Sequence, residues 1–225
     1  MKNDLTVRLR LIADLSRNYA VPESRIIDVG SDHGMLPVYC LKNGIFGRAV
    51  LTDINEAPAA RSASAVADNC LSDRAEVICT DGLDGVELCR NDVVVMAGLG
   101  GNNIRDIIAR LIPRDGDILK DVTFILQPQK SIPELREYLA VSGFDIDDEE
   151  CCFESGFYYC VLCVKYTGEP RGLTDREIYY GPVMLKKFGE RREYKEFLDR
   201  VYGVRARGDK RIAKVLEEPY EQSNS

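Results

Sequence analysis

With 225 residues, 45% of them hydrophobic and 30% charged, the chain is long enough for one sizeable core plus an appendage, and no more than two domains are expected. A formal net charge of −7 and a sequence pI of about 5.0 argue against a generic RNA-binding surface. Charges at Lys2, Asp4, Arg8, Arg10 and Asp14 interrupt the stretch from Met1 to Asn18, so no signal peptide or membrane span is expected there and a cytoplasmic location is the default.

In chain order, Leu5, Leu9 and Ile12, then Leu11, Leu15 and Tyr19, recur at three- and four-residue spacings and predict an amphipathic helix that Pro22 ends. Apolar runs at Ile26–Val29, Ala49–Thr52, Glu76–Cys79, Val93–Ala97, Val122–Leu126, Cys151–Phe153 and Tyr158–Val164 predict buried strands. Helical segments at Leu36–Leu41, Ala57–Asn69, Asn103–Leu111 and Ile132–Val141 lie between most of them, the last opened by Ser131 and closed by Gly143. Such alternation implies a parallel sheet covered on both faces. The last two runs leave no room for a crossover helix, so they are predicted to form a hairpin that ends the sheet on an antiparallel strand. This is the α/β, Rossmann-like class I methyltransferase pattern: a mostly parallel seven-stranded sheet with a terminal antiparallel hairpin strand.

After about Thr167 the texture changes, dividing the chain into a Rossmann-like domain, 1–167, and a C-terminal helical, coiled-coil-like extension, 168–225. Val183, Leu185, Phe188, Tyr194, Phe197, Leu198 and Val201 suggest one or two helices with an apolar stripe. From Lys186 to Lys214 eleven Lys and Arg stand against five Asp and Glu, with Tyr194, Phe197 and Tyr202 interspersed. The tail from Glu217 to Ser225 reads as disordered.

Certain chemistries are disfavoured by counting. The lone histidine, His33, cannot build a histidine-rich metal site, and no metal is expected. A Ser-His-Asp or Cys-His hydrolase would have to recruit that same residue from inside a glycine turn. Of the eight cysteines, Cys40, Cys70, Cys79 and Cys89 stand singly, and the one CxxC, Cys160 to Cys163, lies in a predicted strand, where residues three apart face opposite sides. The cysteines are expected to be reduced and buried, behaving as small hydrophobes.

In an open α/β sheet the ligand sits beyond the C-terminal ends of the strands. The residues there are Asp28-x-Gly30-Ser31-Asp32-His33-Gly34 after the first run, Asp53-Ile54 after the second, Asp81-Gly82 after the third, Ala97-Gly98-Leu99-Gly100-Gly101 after the fourth and Gln127-Pro128-Gln129 after the fifth. A nicotinamide or flavin fingerprint places a glycine where this chain has Asp32. A carboxylate repels a pyrophosphate but attracts the ammonium and sulfonium of S-adenosylmethionine (SAM), so the sign of Asp32 favours SAM. Asp53 suits a ribose diol, and Asp81-Gly82 reads either as an acceptor for an adenine amino group or simply as a turn. The glycine loop at 98–101 lacks the Asn/Asp-Pro-Pro-aromatic motif of many amino-methyltransferases, which fits attack by a ring nitrogen with an in-plane lone pair.

These residues resemble the bacterial tRNA adenine-N1-methyltransferases of the TrmK type, which methylate adenine 22 in the tRNA D-arm. The resemblance rests on Asp28-Val-Gly-Ser-Asp-His-Gly-Met-Leu-Pro37, close to DIGSDHAYLP; on Asp81-Gly-Leu83; on Ala97-Gly-Leu-Gly-Gly101, close to AGMGG; on Leu126-Gln-Pro128; and on Gly181-Pro182. Three positions depart from the family: Gln129 replaces the asparagine after LQP, Ala57-Pro58 replaces a GP pair, and Leu99 replaces methionine. The resemblance implies SAM as cofactor, tRNA as partner and methyl transfer to adenine N1. It assigns Asp28, Gly30, Ser31, Asp32, His33, Gly34, Asp53, Ile54, Asp81, Gly82, Ala97 and Gly98 to the cofactor, and Asp32, His33, Gly98 and Gln129 to the reacting base. The basic stretch Lys186–Lys214 is the candidate RNA surface, and its deletion is expected to weaken tRNA binding while sparing SAM. A small-molecule methyltransferase and a non-catalytic SAM- or RNA-binding module remain the alternatives.

Overall fold

The computed structural model describes residues 5–217, so the tail expectation beyond Glu217 lies outside the described residues. The chain runs α1 (Val7–Arg17), β1 (Arg25–Val29), α2 (Met35–Lys42), β2 (Arg48–Asp53), α3 (Glu56–Asp68), β3 (Ala75–Cys79), β4 (Val93–Leu99) and α4 (Gly101–Asp115). A single 3-10 turn (Ile118–Asp121) leads to β5 (Thr123–Pro128), α5 (Ile132–Val141), β6 (Phe144–Glu154) and β7 (Phe157–Tyr166). Among the described residues four helices follow: α6 (Asp175–Tyr180), α7 (Met184–Lys187), α8 (Arg192–Arg205) and α9 (Lys210–Glu217).

The seven strands form one sheet in the order β3-β2-β1-β4-β5-β7-β6. β1 to β5 are parallel, and β7 runs antiparallel to both β5 and β6, as the hairpin reading expected. Neighbouring residues of the central strands alternate between two apolar cores, because successive side chains of a strand point to opposite faces. Ile27, Val94, Met96, Phe124 and Leu126 face α4 and α5, whereas Ile26, Val93, Val95 and Ile125 face α1 and α2. Cys160 and Cys163 fall on opposite cores in the same way. No helix among the described residues is long and apolar enough to cross a membrane.

Two expectations need correction. β6 begins at Phe144 rather than Cys151, because its first half carries Asp145, Asp147, Asp148, Glu149 and Glu150 and so shows no apolar run. The strand lies at the sheet edge and carries a bulge between Ile146 and Asp148, a setting in which acids are tolerated. The cysteines are all free but not all buried: Cys40, Cys160 and Cys163 are, whereas Cys70 in the turn after α3, Cys79 at the end of edge strand β3 and Cys89 in a loop are exposed. The apolar stripe from Val183 to Val201 forms two helices, α7 and α8, as expected, with α6 before and α9 after them, and Tyr179, Tyr180, Met184, Phe188, Tyr194, Leu198 and Tyr202 share the core of β5 and β7.

A buried ionic cluster fastens those helices to the sheet. Arg136 of α5 donates to Glu149 Oε1 of β6 (2.8 Å) and to the carbonyls of Ile178 (3.1 Å) and Tyr179 (3.2 Å) in α6. Glu149 Oε2 accepts the backbone N–H groups of Val183 (3.0 Å) and Met184 (2.9 Å) at the start of α7. Gly181, at φ +94°, lets the chain pass this carboxylate: a Cβ there would lie 2.3 Å from Glu149 Oε2.

Candidate active site

The strand order reverses at β1, which pairs with β2 on one side and β4 on the other. Loops leaving the C-terminal ends of these strands diverge, and the crevice between them is where open α/β sheets bind ligands. The corner after β1 and the glycine loop after β4 therefore face each other by topology. Gly30 adopts φ +78°, a conformation that favours glycine, and a Cβ on it would lie 3.2 Å from Leu99 Cδ2.

Two cavities meet at Gly30. One, of about 400 Å³, is lined by Asp53, Ile54, Asp81, Gly82, Leu99 and Ile107 among others. The second, of about 290 Å³, takes in Arg8, Asp28, Ser31, Asp32, His33 and Ala97, with Gly34 at its edge. Every cofactor residue expected after the first three strands thus borders one or other cavity, and Gly30 borders both.

Charge is distributed unevenly along the two cavities. Burial pushes the Asp28 carboxyl up from its ordinary 3.8 to about 6, with the neighbouring Ser31 acting in the opposite direction. Ser31 Oγ is itself buried and has no formed hydrogen bond to protein among the described residues. Asp32 differs from its expected role as a bare acid beside a cation. Its half-exposed carboxylate is gripped by Arg61 of α3, whose hydrogen bond holds it below the usual carboxylate range, and His33 Nε2 lies 3.4 Å away on the solvent side. At the far end, Asp53 Oδ1 accepts the Asn55 N–H (2.9 Å), while Asp81 pairs with Arg110 at 3.2 Å. Ile54, beside them, is 63% exposed at the cavity's border.

The acceptor side is organised by a residue that carries no assigned role in the sequence reading. Gln127, buried at the end of β5, receives three donors on Oε1: Arg8 Nη1 of α1 (2.7 Å), the Gly98 N–H (3.2 Å) and Gln129 Nε2 (3.2 Å). Its own Nε2 donates to the Pro128 carbonyl at 3.1 Å. Gly98 and Gln129 are thereby brought together, and Arg8, in the sequence only one charge of the first helix, closes the cluster from above the Tyr159 ring (5.3 Å). Gly101 allows the loop its position, since a Cβ there would meet Ser131 O at 2.6 Å.

SAM fits this arrangement chemically. It pairs an amino-acid end carrying ammonium and carboxylate with a ribose diol and an adenine, and the site pairs Asp28 and the unpartnered Ser31 hydroxyl at one end with Asp53, Ile54 and Asp81 at the other. The sheet order, the antiparallel β7 and the placement of these groups define a class I SAM-dependent methyltransferase.

Comparison with known proteins narrows the class. The family model TrmK, tRNA (adenine(22)-N(1))-methyltransferase, matches residues 26–219, and the chain belongs to that family. It is 30% identical over 182 residues to the Bacillus subtilis tRNA (adenine(22)-N(1))-methyltransferase, covering 80% of this chain and 70% of the relative. A Mycoplasma pneumoniae relative is 34% identical over 163 residues, 70% of this chain and 71% of its own. A Streptococcus pneumoniae protein solved in complex with S-adenosyl-L-methionine superposes with a TM-score of 0.70 at 26% identity, covering 95% of this chain and 100% of that one.

Proposed function

We propose that the chain transfers the methyl group of SAM to N1 of adenine 22 in tRNA. The observation that carries this function is the family match, which runs through the whole sheet, the glycine loop and the C-terminal helices. When bound, SAM supplies an electrophilic methyl group to the in-plane lone pair of adenine N1. No general base is needed for that step, because N1 of neutral adenine carries no proton, so the protein contributes mainly alignment and exclusion of water. Asp28 and Ser31 hold the amino-acid end of the cofactor, and Asp53 takes the ribose hydroxyls. Ile54 covers the adenine ring, with Asp81 and Gly82 at its edge.

Gly98 gives a flat base access to the crevice, because no side chain projects from it. Asp32 and His33, on the cavity rim, lie where negative charge and a polar ring offset the positive charge of N1-methyladenine; with Arg61 holding Asp32, that contribution is modest. N1 lies on the Watson–Crick edge, so the target base has to leave its pairing partner to enter the site. The C-terminal extension, 168–225, supplies the tRNA-binding surface.

The test is transfer of labelled methyl from SAM to unmodified tRNA, with the modified nucleoside identified and mapped. N1-methyladenosine at position 22 is the expected product, lost when that adenine is replaced. Label persisting in the replaced tRNA, or appearing on a different base, overturns the assignment.

A further inference from the structure

We infer that Gln129 recognises the exocyclic amine of the acceptor adenine through Oε1, and that buried Gln127 fixes it in that orientation; the inference rests on the adenine-N1 reading above. The hydrogen bonds of the cluster leave one solution. The Gly98 N–H and the Arg8 guanidinium have hydrogens and no accepting lone pair, so the Gln127 atom that both approach is the amide oxygen. Gln127 Nε2 must then face the Pro128 carbonyl, which only accepts, and the two ends of this amide cannot be exchanged.

The same logic propagates one residue outward. Gln129 meets the Gln127 oxygen at 3.2 Å and has to present Nε2 to it. Its Oε1 is left without a protein donor among the described residues, on an exposed side chain whose backbone N–H is held 2.8 Å from the Leu99 carbonyl of the glycine loop. The strand end beside the glycine loop therefore carries an amide oxygen that is free to accept a hydrogen bond.

An amide oxygen complements one edge of the purines and not the other. Adenine presents a donating 6-amino group beside N1, whereas guanine presents an accepting O6 and a protonated N1. Gln129 Oε1 accepts from the former and leaves N1 free for the methyl group; against guanine it faces another acceptor, which leaves polar groups unpaired. A freely rotating glutamine would serve either base. Gln127 removes that ambiguity and is a positioning residue, since it acts through Gln129.

The deciding experiment compares kcat/KM for methylation of tRNA carrying adenosine or purine riboside at position 22, the latter lacking the 6-amino group, in wild-type and Gln129→Ala enzymes. The expected result is a drop of about tenfold for adenosine, the size of one hydrogen bond, and a much smaller drop for purine riboside. Gln127→Leu is expected to reproduce this loss of discrimination, with SAM affinity measured alongside as a check on folding. Equal losses on both substrates in Gln129→Ala overturn the inference, and because Gln129 is exposed, that outcome is not an artefact of misfolding. Wild-type enzyme that fails to methylate the adenosine tRNA overturns the functional reading instead.

Discussion

Asp28 joins fold and site in one residue. It belongs to β1, paired with Leu51 and Val95 in the middle of the sheet, and still borders the cavity assigned to the amino-acid end of SAM. Because burial raises its folded-state value to about 6, the folded protein holds a proton that the unfolded chain releases near 4. Its contribution to stability is therefore complete below about pH 4 and is lost as pH rises through 6, a change on the order of 3 kcal/mol for a fully buried group. A cationic ligand reverses the preference, since the ammonium of SAM favours the ionised carboxylate. SAM affinity is thus expected to rise between pH 5 and 7, and Asp28→Asn to flatten that rise and to weaken binding at pH 7.5 by about tenfold, the scale of one charge-assisted hydrogen bond. Calorimetric titration across this range measures both effects. A rise that survives in Asp28→Asn refutes the assignment.

At the scale of elements, the junction between α5, β6 and the turn from α6 to α7 depends on the Arg136–Glu149 pair, whose side chains are 1% and 0% exposed. Removing one partner leaves a buried charge uncompensated, so Glu149→Gln is expected to cost about 3 kcal/mol or more in urea unfolding. Gly181→Ala is expected to destabilise as well, because its Cβ would collide with the Glu149 carboxylate. The double replacement Arg136→Met, Glu149→Leu is expected to stay below wild type, since the Val183 and Met184 N–H groups lose their acceptor whatever becomes of the arginine. Full recovery in the double variant would show that these backbone hydrogen bonds carry no weight. None of this is legible in the sequence. Glu149 looks like one of five acids on a solvated strand, and only the bulge between Ile146 and Asp148 decides which of them turns inward. The central strands and the glycine corner can be read because their signals are local: apolar runs for β1, β2, β4 and β5, and glycines with acids directly after them. Gln127 cannot, because Arg8 lies 119 residues away and no local spacing connects the two.

For the molecule as a whole, the question is how a chain of net charge −7 holds a polyanion. The basic stretch looks like the answer, but part of its charge is neutralised inside the protein. Lys187 pairs with Asp148 and Glu150, Arg191 with Glu150, Lys195 with Asp199, and Arg211 with Glu137 and Asp175. Its aromatic residues are likewise committed: Tyr194 and Tyr202 are buried, and Phe197 packs against Tyr158 and Tyr194. Deleting everything from Lys186 would strip Phe188, Tyr194, Leu198 and Ile212 from the core, so it would measure folding rather than tRNA binding. The cations left exposed and in no ion pair among the described residues include Arg200 and Arg205 in α8, Arg207 beyond it, and Lys210 and Lys214 in α9. Neutralising Arg200, Arg205 and Arg207 to glutamine avoids the core. If α8 and the turn after it track the phosphates, tRNA affinity falls and the slope of its logarithm against that of salt concentration flattens by roughly one for each phosphate no longer neutralised, while SAM affinity holds. An unchanged slope would place the tRNA on another face, with the C-terminal helices serving to cover β6 and β7.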